Sequence, residues 1–322
     1  MSRGAFSIAL GAMATVVAVL AAPLGAQAAT PPAGPPLLPS TQGADVSFPQ
    51  CDGFLPLGQA FAVIGVNDGL ATTTNPCLTE QLLWASTSTG VTAQPGTALY
   101  VNTANPGLQA DWWPSENRTR AGDAIANPYG TCAHTVGAPC SYVYGYSVAY
   151  DDTHIRGIDP AHAADYRWWL DVETSNSWSF DTRPNAAVLE GMVAAFAAVG
   201  AEAGIYSSRQ QWNWIVGTLP TGSPLNGLPS WIAAGTVSSR AAQEACSVSP
   251  LTPGGRLSMV QFIDGAYDAD VSCLPILPVQ VSGPVPAPVP SASATSPVPT
   301  SVTSPVPPHA SALAPAGFAA AH

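Results

Sequence analysis

The chain has no lysine: all nine of its basic residues are arginine, against 20 acids, and the formal charge is −11 over 322 residues. Charged side chains make up only 9 % of the sequence, and no basic cluster breaks the acidic balance. That excludes nucleic acid and anionic membrane surfaces as expected partners. The six cysteines form no Cys-x-x-Cys pair. His134, His154 and His162 form no His-x-x-x-His pair, so neither a metal nor a cofactor is expected. No Gly-x-Gly-x-x-Gly follows the first predicted strand, which weakens an open dinucleotide-binding sheet. Gly145-Tyr146-Ser147-Val148-Ala149 approaches a nucleophile-elbow motif but lacks its second glycine. After the first two dozen residues no stretch is apolar and long enough to span a bilayer.

Three features assign a compartment and an organisation. Arg3, an apolar run over 5–24 and the small-residue site Ala26-Gln27-Ala28 predict a signal peptide over 1–28. Pro23 and Gly25 argue against a membrane anchor there. In an exported chain an even cysteine number predicts disulfides. Proximity and neighbouring strand ends pair Cys51 with Cys77, Cys132 with Cys140 and Cys246 with Cys273. Residues 29–42 read as a Pro-rich linker. Residues 274–322, nearly all Pro, Ala, Ser, Val and Thr, read as a disordered low-complexity tail. The core is 43–273, and a monomer is expected.

Within that core, apolar strand-like runs over 44–48, 61–66, 98–102, 167–174, 204–207, 231–233, 257–262 and 267–271 alternate with helical patterns. A helix is predicted from an Asn75 cap with Pro76 at its first position, a second around 143–150, and a third over 185–199 after Pro184. Two further helices carry Trp212 with Ile215, and residues 239–246. Residues 105–140 read as a long polar insertion holding Trp112 and Trp113. This alternation predicts an α/β fold with a parallel sheet, and about eight strands favour a closed TIM-like (β/α) barrel.

The most informative stretch is Arg167-Trp168-Trp169-Leu170-Asp171-Val172-Glu173-Thr174. As a strand it places Trp169, Asp171 and Glu173 on one face and Trp168, Leu170 and Val172 on the other, both apolar until the acids arrive. Two acids so spaced sit roughly 6–7 Å apart along the rise. At an effective dielectric near 20 their repulsion is on the order of 2–3 kcal/mol. One carboxyl can then keep its proton beside an ionised neighbour, which is the equipment of glycoside hydrolysis. The plainer alternative is a helix cap at Asp171 and a solvated strand end at Glu173. Asp45 and Asp268 also fall near strand ends, and of Asp268 and Asp270 one is expected inward and one outward. Tyr206, Trp178, Tyr146 and Asn102 are candidate substrate contacts, with ordinary packing as the rival role.

Asp45-Val46-Ser47, Leu170-Asp171-Val172-Glu173, Gly204-Ile205-Tyr206-Ser207 before Trp212, Trp231-Ile232-Ala233, and Gln261-Phe262 before Asp268 occur in an order that resembles glycoside hydrolase family 25, the muramidase-type lysozymes. Asn75-Pro76-Cys77-Leu78 and Asn102-Thr103-Ala104-Asn105-Pro106-Gly107 resemble secreted family-25-like proteins of actinobacteria. The resemblance implies an irregular β/α barrel and cleavage of β-1,4 bonds in peptidoglycan. It implies Glu173 as general acid and Asp171 as an ionised carboxylate, at or below its reference pKa of about 3.9, that steadies the cation or holds a substrate acetamido group. Asp45 and Asp268 would be supporting acids. The chain departs from the family pattern at Gly65-Val66-Asn67-Asp68, where a lysine is usual, and at Tyr100-Val101-Asn102, where Tyr-His is usual. A catalytically silent carbohydrate-binding or cell-surface module on the same barrel is the alternative.

Overall fold

Eight strands close into a barrel in sequence order. The computed structural model describes Pro35, residues 37–265 and residues 267–277. The expected signal peptide and nearly all of the expected tail lie outside the described residues. The elements are β1 (Gln42–Val46), β2 (Ala62–Gly65), α1 (Leu78–Ala85), β3 (Thr97–Asn102), α2 (Ala138–His154), β4 (Arg167–Asp171), α3 (Thr182–Ala198), β5 (Glu202–Ser207), α4 (Arg209–Ile215), β6 (Ser230–Ala233), α5 (Ser239–Ala245), β7 (Leu257–Asp264) and β8 (Tyr267–Ser272).

Neighbours from β1 to β7 pair in parallel, but β8 is antiparallel to both β7 and β1. The expected α/β barrel is formed, but its sheet, expected to be parallel, is mixed. Asp264 pairs with Tyr267, so only a tight turn joins the last two strands. A parallel return would need a crossover of about a dozen residues or more. Reversal has a functional effect: the start of β8, not its end, lies beside the carboxyl ends of the other strands, and Asp268 pairs directly with Asp45.

Alternation sorts the strand residues into two cores. Val63, Ala98, Trp169, Tyr206, Trp231 and Met259 cluster inside the barrel. Ile64, Leu99, Trp168, Leu170 and Ile205 face the helices. Trp168 stacks on Phe196 of α3 at 4.8 Å, and Trp169 meets Trp231 edge-on at 5.9 Å.

Three helix starts differ from expectation. At α1 the cap is Cys77; the Asn75 side chain accepts from the Cys77 N–H (3.1 Å) and donates to Gly65 O (2.7 Å), bracing β2 instead of capping. α2 begins at Ala138, so it takes over the end of the predicted insertion. α3 is capped by Asp181, whose side chain accepts from the Arg183 N–H at 3.0 Å. Pro184 then sits inside the first turn, where its missing N–H costs nothing.

α2 and α3 cross at two glycines. A Cβ on Gly145 would lie 2.0 Å from Val188 O, and one on Gly191 would lie 2.1 Å from Tyr142 O. All three expected disulfides are formed. Leu274 to Leu277 had been assigned to the tail, yet Ala93 donates to Pro275 O and Leu277 donates to Val91 O, both at 2.9 Å.

Candidate active site

The carboxyl ends of β1 and β4 and the start of β8 bring Asp45, Asp171, Glu173 and Asp268 to one mouth of the barrel. β4 stops at Asp171, so Glu173 stands on the loop just beyond the strand rather than within it. Asn102, the last residue of β3, pairs with Asp171, and its Nδ2 donates to Asp171 Oδ2 at 3.0 Å. The other oxygen, Oδ1, is buried with no hydrogen-bond partner. Glu173 Oε1 accepts from Gln211 Nε2 at 3.3 Å. Gln211 is itself held by Thr174, whose N–H and hydroxyl both donate to its Oε1. A second chain runs from the Tyr206 hydroxyl to Gln261 Oε1 (2.7 Å) and from Gln261 Nε2 to Asp45 Oδ2 (3.0 Å).

Asp268 and Asp270 are two apart on a strand and share the inward face, so the expected inward–outward split does not occur. Asp268 lies at the rim; Asp270 is fully buried one layer deeper and accepts from Trp231 Nε1 at 2.7 Å. Burial lifts its carboxyl well above the usual carboxylate range, as it does that of Asp45.

No basic side chain hydrogen-bonds to any of these acids among the described residues, and burial sets their titration. Burial raises Asp171 well above the carboxylate range, the Glu173 charge raises it further, and the Asn102 donor opposes both. The expectation of an Asp171 at or below its ordinary value is therefore corrected. The anticipated charge repulsion between Asp171 and Glu173 adds to the effect of burial. Burial also raises Glu173; the Gln211 donor lowers it and the Asp268 charge raises it. Asp45 is raised by burial first, then by Asp270 and Asp268.

The buried Asp270 makes a stability prediction. Burial lifts its folded-state pKa well above the usual value. The folded chain thus holds a proton that the unfolded chain releases near about pH 3.9. Stability must then fall as pH climbs from there toward the folded-state value. Asp270→Asn retains an acceptor for Trp231 and removes the buried titrating group. It is expected to melt higher than wild type at pH 7 and to lose less stability between about pH 4 and 7. A lower melting temperature at pH 7 would count against this.

A cleft of about 730 Å³ opens on the acids, lined among others by Tyr100, Asn102, Asp171 and Glu173. Beside it a depression of about 470 Å³ is lined by Glu173, Tyr206, Gln211, Gln261 and Asp268. Glu173 borders both, standing where a long ligand would cross. Of the four expected substrate contacts, Asn102 and Tyr206 are at this mouth. Trp178 instead donates its indole N–H to Glu173 O at 2.7 Å and lines a separate depression of about 320 Å³. Tyr146 packs half-buried on the helix side of the core, because the crossing at Gly191 draws that part of α2 against α3. The two departures from the family pattern meet: Asn67 Oδ1 accepts from the Asn102 N–H at 2.8 Å, and Asn67 Nδ2 donates to buried Asp152 at 3.0 Å. Sequence reasoning missed Gln211, and named Asp270 without placing it in the site. Asp270 was readable from two-residue alternation, whereas nothing local marks Gln211.

A family model described as lysozyme-like protein 1 matches residues 152–244, the stretch that contains Asp171, Glu173 and Gln211. The probable GH family 25 lysozyme 4 of Dictyostelium discoideum is 42 % identical over 65 residues, covering 20 % of this chain and 29 % of that protein. The probable GH family 25 lysozyme 2 of the same organism is 30 % identical over 114 residues, 34 % of this chain and 45 % of that one. The chain spans less than half the length of either curated relative. Among solved structures, the modular Cpl-1 endolysin complexed with a peptidoglycan analogue matches at 15 % identity and a TM-score of 0.43, over 72 % of this chain and 54 % of that one. Over these stretches the chain is similar to GH family 25 lysozymes.

Proposed function

We propose that the protein is an exported glycoside hydrolase of the muramidase type, cleaving β-1,4 bonds of peptidoglycan or a related polysaccharide. The observation that supports this most is the placing of Glu173 at the junction of two depressions, with Asp171 at the end of the adjoining strand. In this reading Glu173 donates its proton to the departing glycosidic oxygen. Asp171, its charge steadied by Asn102, stabilises the oxocarbenium-like transition state or holds the substrate's acetamido oxygen for attack. Asp45 and Asp268 support from β1 and β8, and Tyr206 holds Asp45 through Gln261. Three disulfides accord with an oxidising compartment outside the cell. The barrel is the catalytic part.

Incubating the protein with peptidoglycan should release new reducing ends. Tight binding with no new ends would replace this reading with that of a carbohydrate-binding module.

A further inference from the structure

The cleft that holds Asp171 and Glu173 is also lined by Trp112, from the 105–140 insertion, and Tyr144, from α2. Trp112 stacks on Tyr144 with centroids 6.4 Å apart and planes 23° apart. Tyr144 in turn lies 5.2 Å from Trp113. Three rings thus form a stack, with Tyr144 and Trp113 buried behind a partly exposed Trp112. Trp113 spends its indole N–H on Thr135 O at 3.1 Å, whereas that of Trp112 meets no protein acceptor among the described residues. A backed indole with a free N–H offers a π face and a donor together.

The loop that carries it is anchored. The Cys132–Cys140 disulfide joins it to α2, Asn127 Nδ2 donates to Pro139 O at 2.8 Å, and the Tyr129 hydroxyl donates to Glu190 on α3 at 2.7 Å. A platform held in this way loses little freedom on binding. The charges around it, Asp111, Arg120 and Asp151, have opposing signs and favour a hydroxyl-rich, uncharged ligand over an ion.

We infer that Trp112 forms a saccharide subsite remote from the bond being cut, stacking on the C–H face of an uncharged pyranoside ring and donating its N–H to a ring hydroxyl. The inference rests on the proposed hydrolase reading, and extends it to a preference for longer chains.

The test measures kcat/KM, and separately Kd by calorimetry, for soluble peptidoglycan fragments of increasing length. Wild type should favour long fragments over the shortest. Trp112→Ala should lose roughly tenfold of that preference while cleaving the shortest fragment at the wild-type rate. Trp112→Phe should keep most of the preference. Trp112→Leu fills space without a π face, and serves in place of alanine if that variant does not fold. An unchanged length preference in the alanine or leucine variant overturns the subsite, as does an equal loss at every length. If wild type cuts no fragment, the hydrolase reading fails; the subsite then stands only if Kd still tightens with length and Trp112→Ala or Trp112→Leu abolishes that gain.

Discussion

Glu173→Gln should reduce reducing-end release by roughly 10²–10⁴, because the amide keeps the shape and the Gln211 contact but has no acidic proton to give. Asp171→Asn should be comparably damaging, and Asp45→Asn less so. The pH dependence carries the same information. Both acids of the pair are raised, mainly by burial. The rate should fall on the acid side as the pair takes up its second proton, and on the basic side as it loses its last. Both limbs should lie above the range of free carboxyls. They belong to the coupled pair rather than to either residue. Wild-type rates in Glu173→Gln would end the assignment of this acid. A retained rate in Asp171→Asn, with Glu173→Gln inactive, would shift the stabilising role to Asp45 or Asp268.

Gly191→Ala should lower the melting temperature, against the ordinary preference of helices for alanine. Helix propensity alone predicts a gain of about 1 kcal/mol. The new methyl, however, would lie 2.1 Å from Tyr142 O and 2.9 Å from Tyr146 N, both backbone atoms that cannot rotate away. Overpacking costs roughly 1–3 kcal/mol; set against the propensity gain, the net loss reaches about 2 kcal/mol, a drop of up to about 8 °C for a domain of this size. Gly145→Ala should behave alike, since its methyl would strike Val188 O. Because α2 also carries Tyr144, the second variant should loosen the aromatic wall of the cleft as well. Thermal melts at one fixed scan rate decide the sign, and a rise for either variant would mean that the helices do not approach as closely as described.

Much of this architecture was legible because it is written in local patterns. Two-residue alternation around Trp168 and Trp169 placed one ring outside and one inside the barrel, and Asp171 at its mouth. The disulfide pairing followed from chain proximity. The direction of β8 was readable too, from a link too short for a crossover, but strand–helix alternation elsewhere masked it. Other features depend on distant residues. Burial depth, which makes Asp171 hard to ionise, is collective and not visible in its neighbours along the chain. Gln211 reaches Glu173 only because α4 follows β5 next to β4. Tyr146 looked free to meet a sugar, but a glycine on α3 decides which way that part of α2 is covered.

The reversed eighth strand has a consequence for how the protein can be held. β1 starts, and β8 ends, at the base of the barrel, where Gln42 pairs with Val271. Leu277 hydrogen-bonds to Val91, ahead of the start of β3 at that same base. The described chain therefore enters and leaves on the side away from Asp171 and Glu173. A last strand parallel to the others would have ended beside the cleft. A label, surface linkage or fused domain attached near residue 40 or residue 277 would grip the barrel from beneath, with its mouth turned outward.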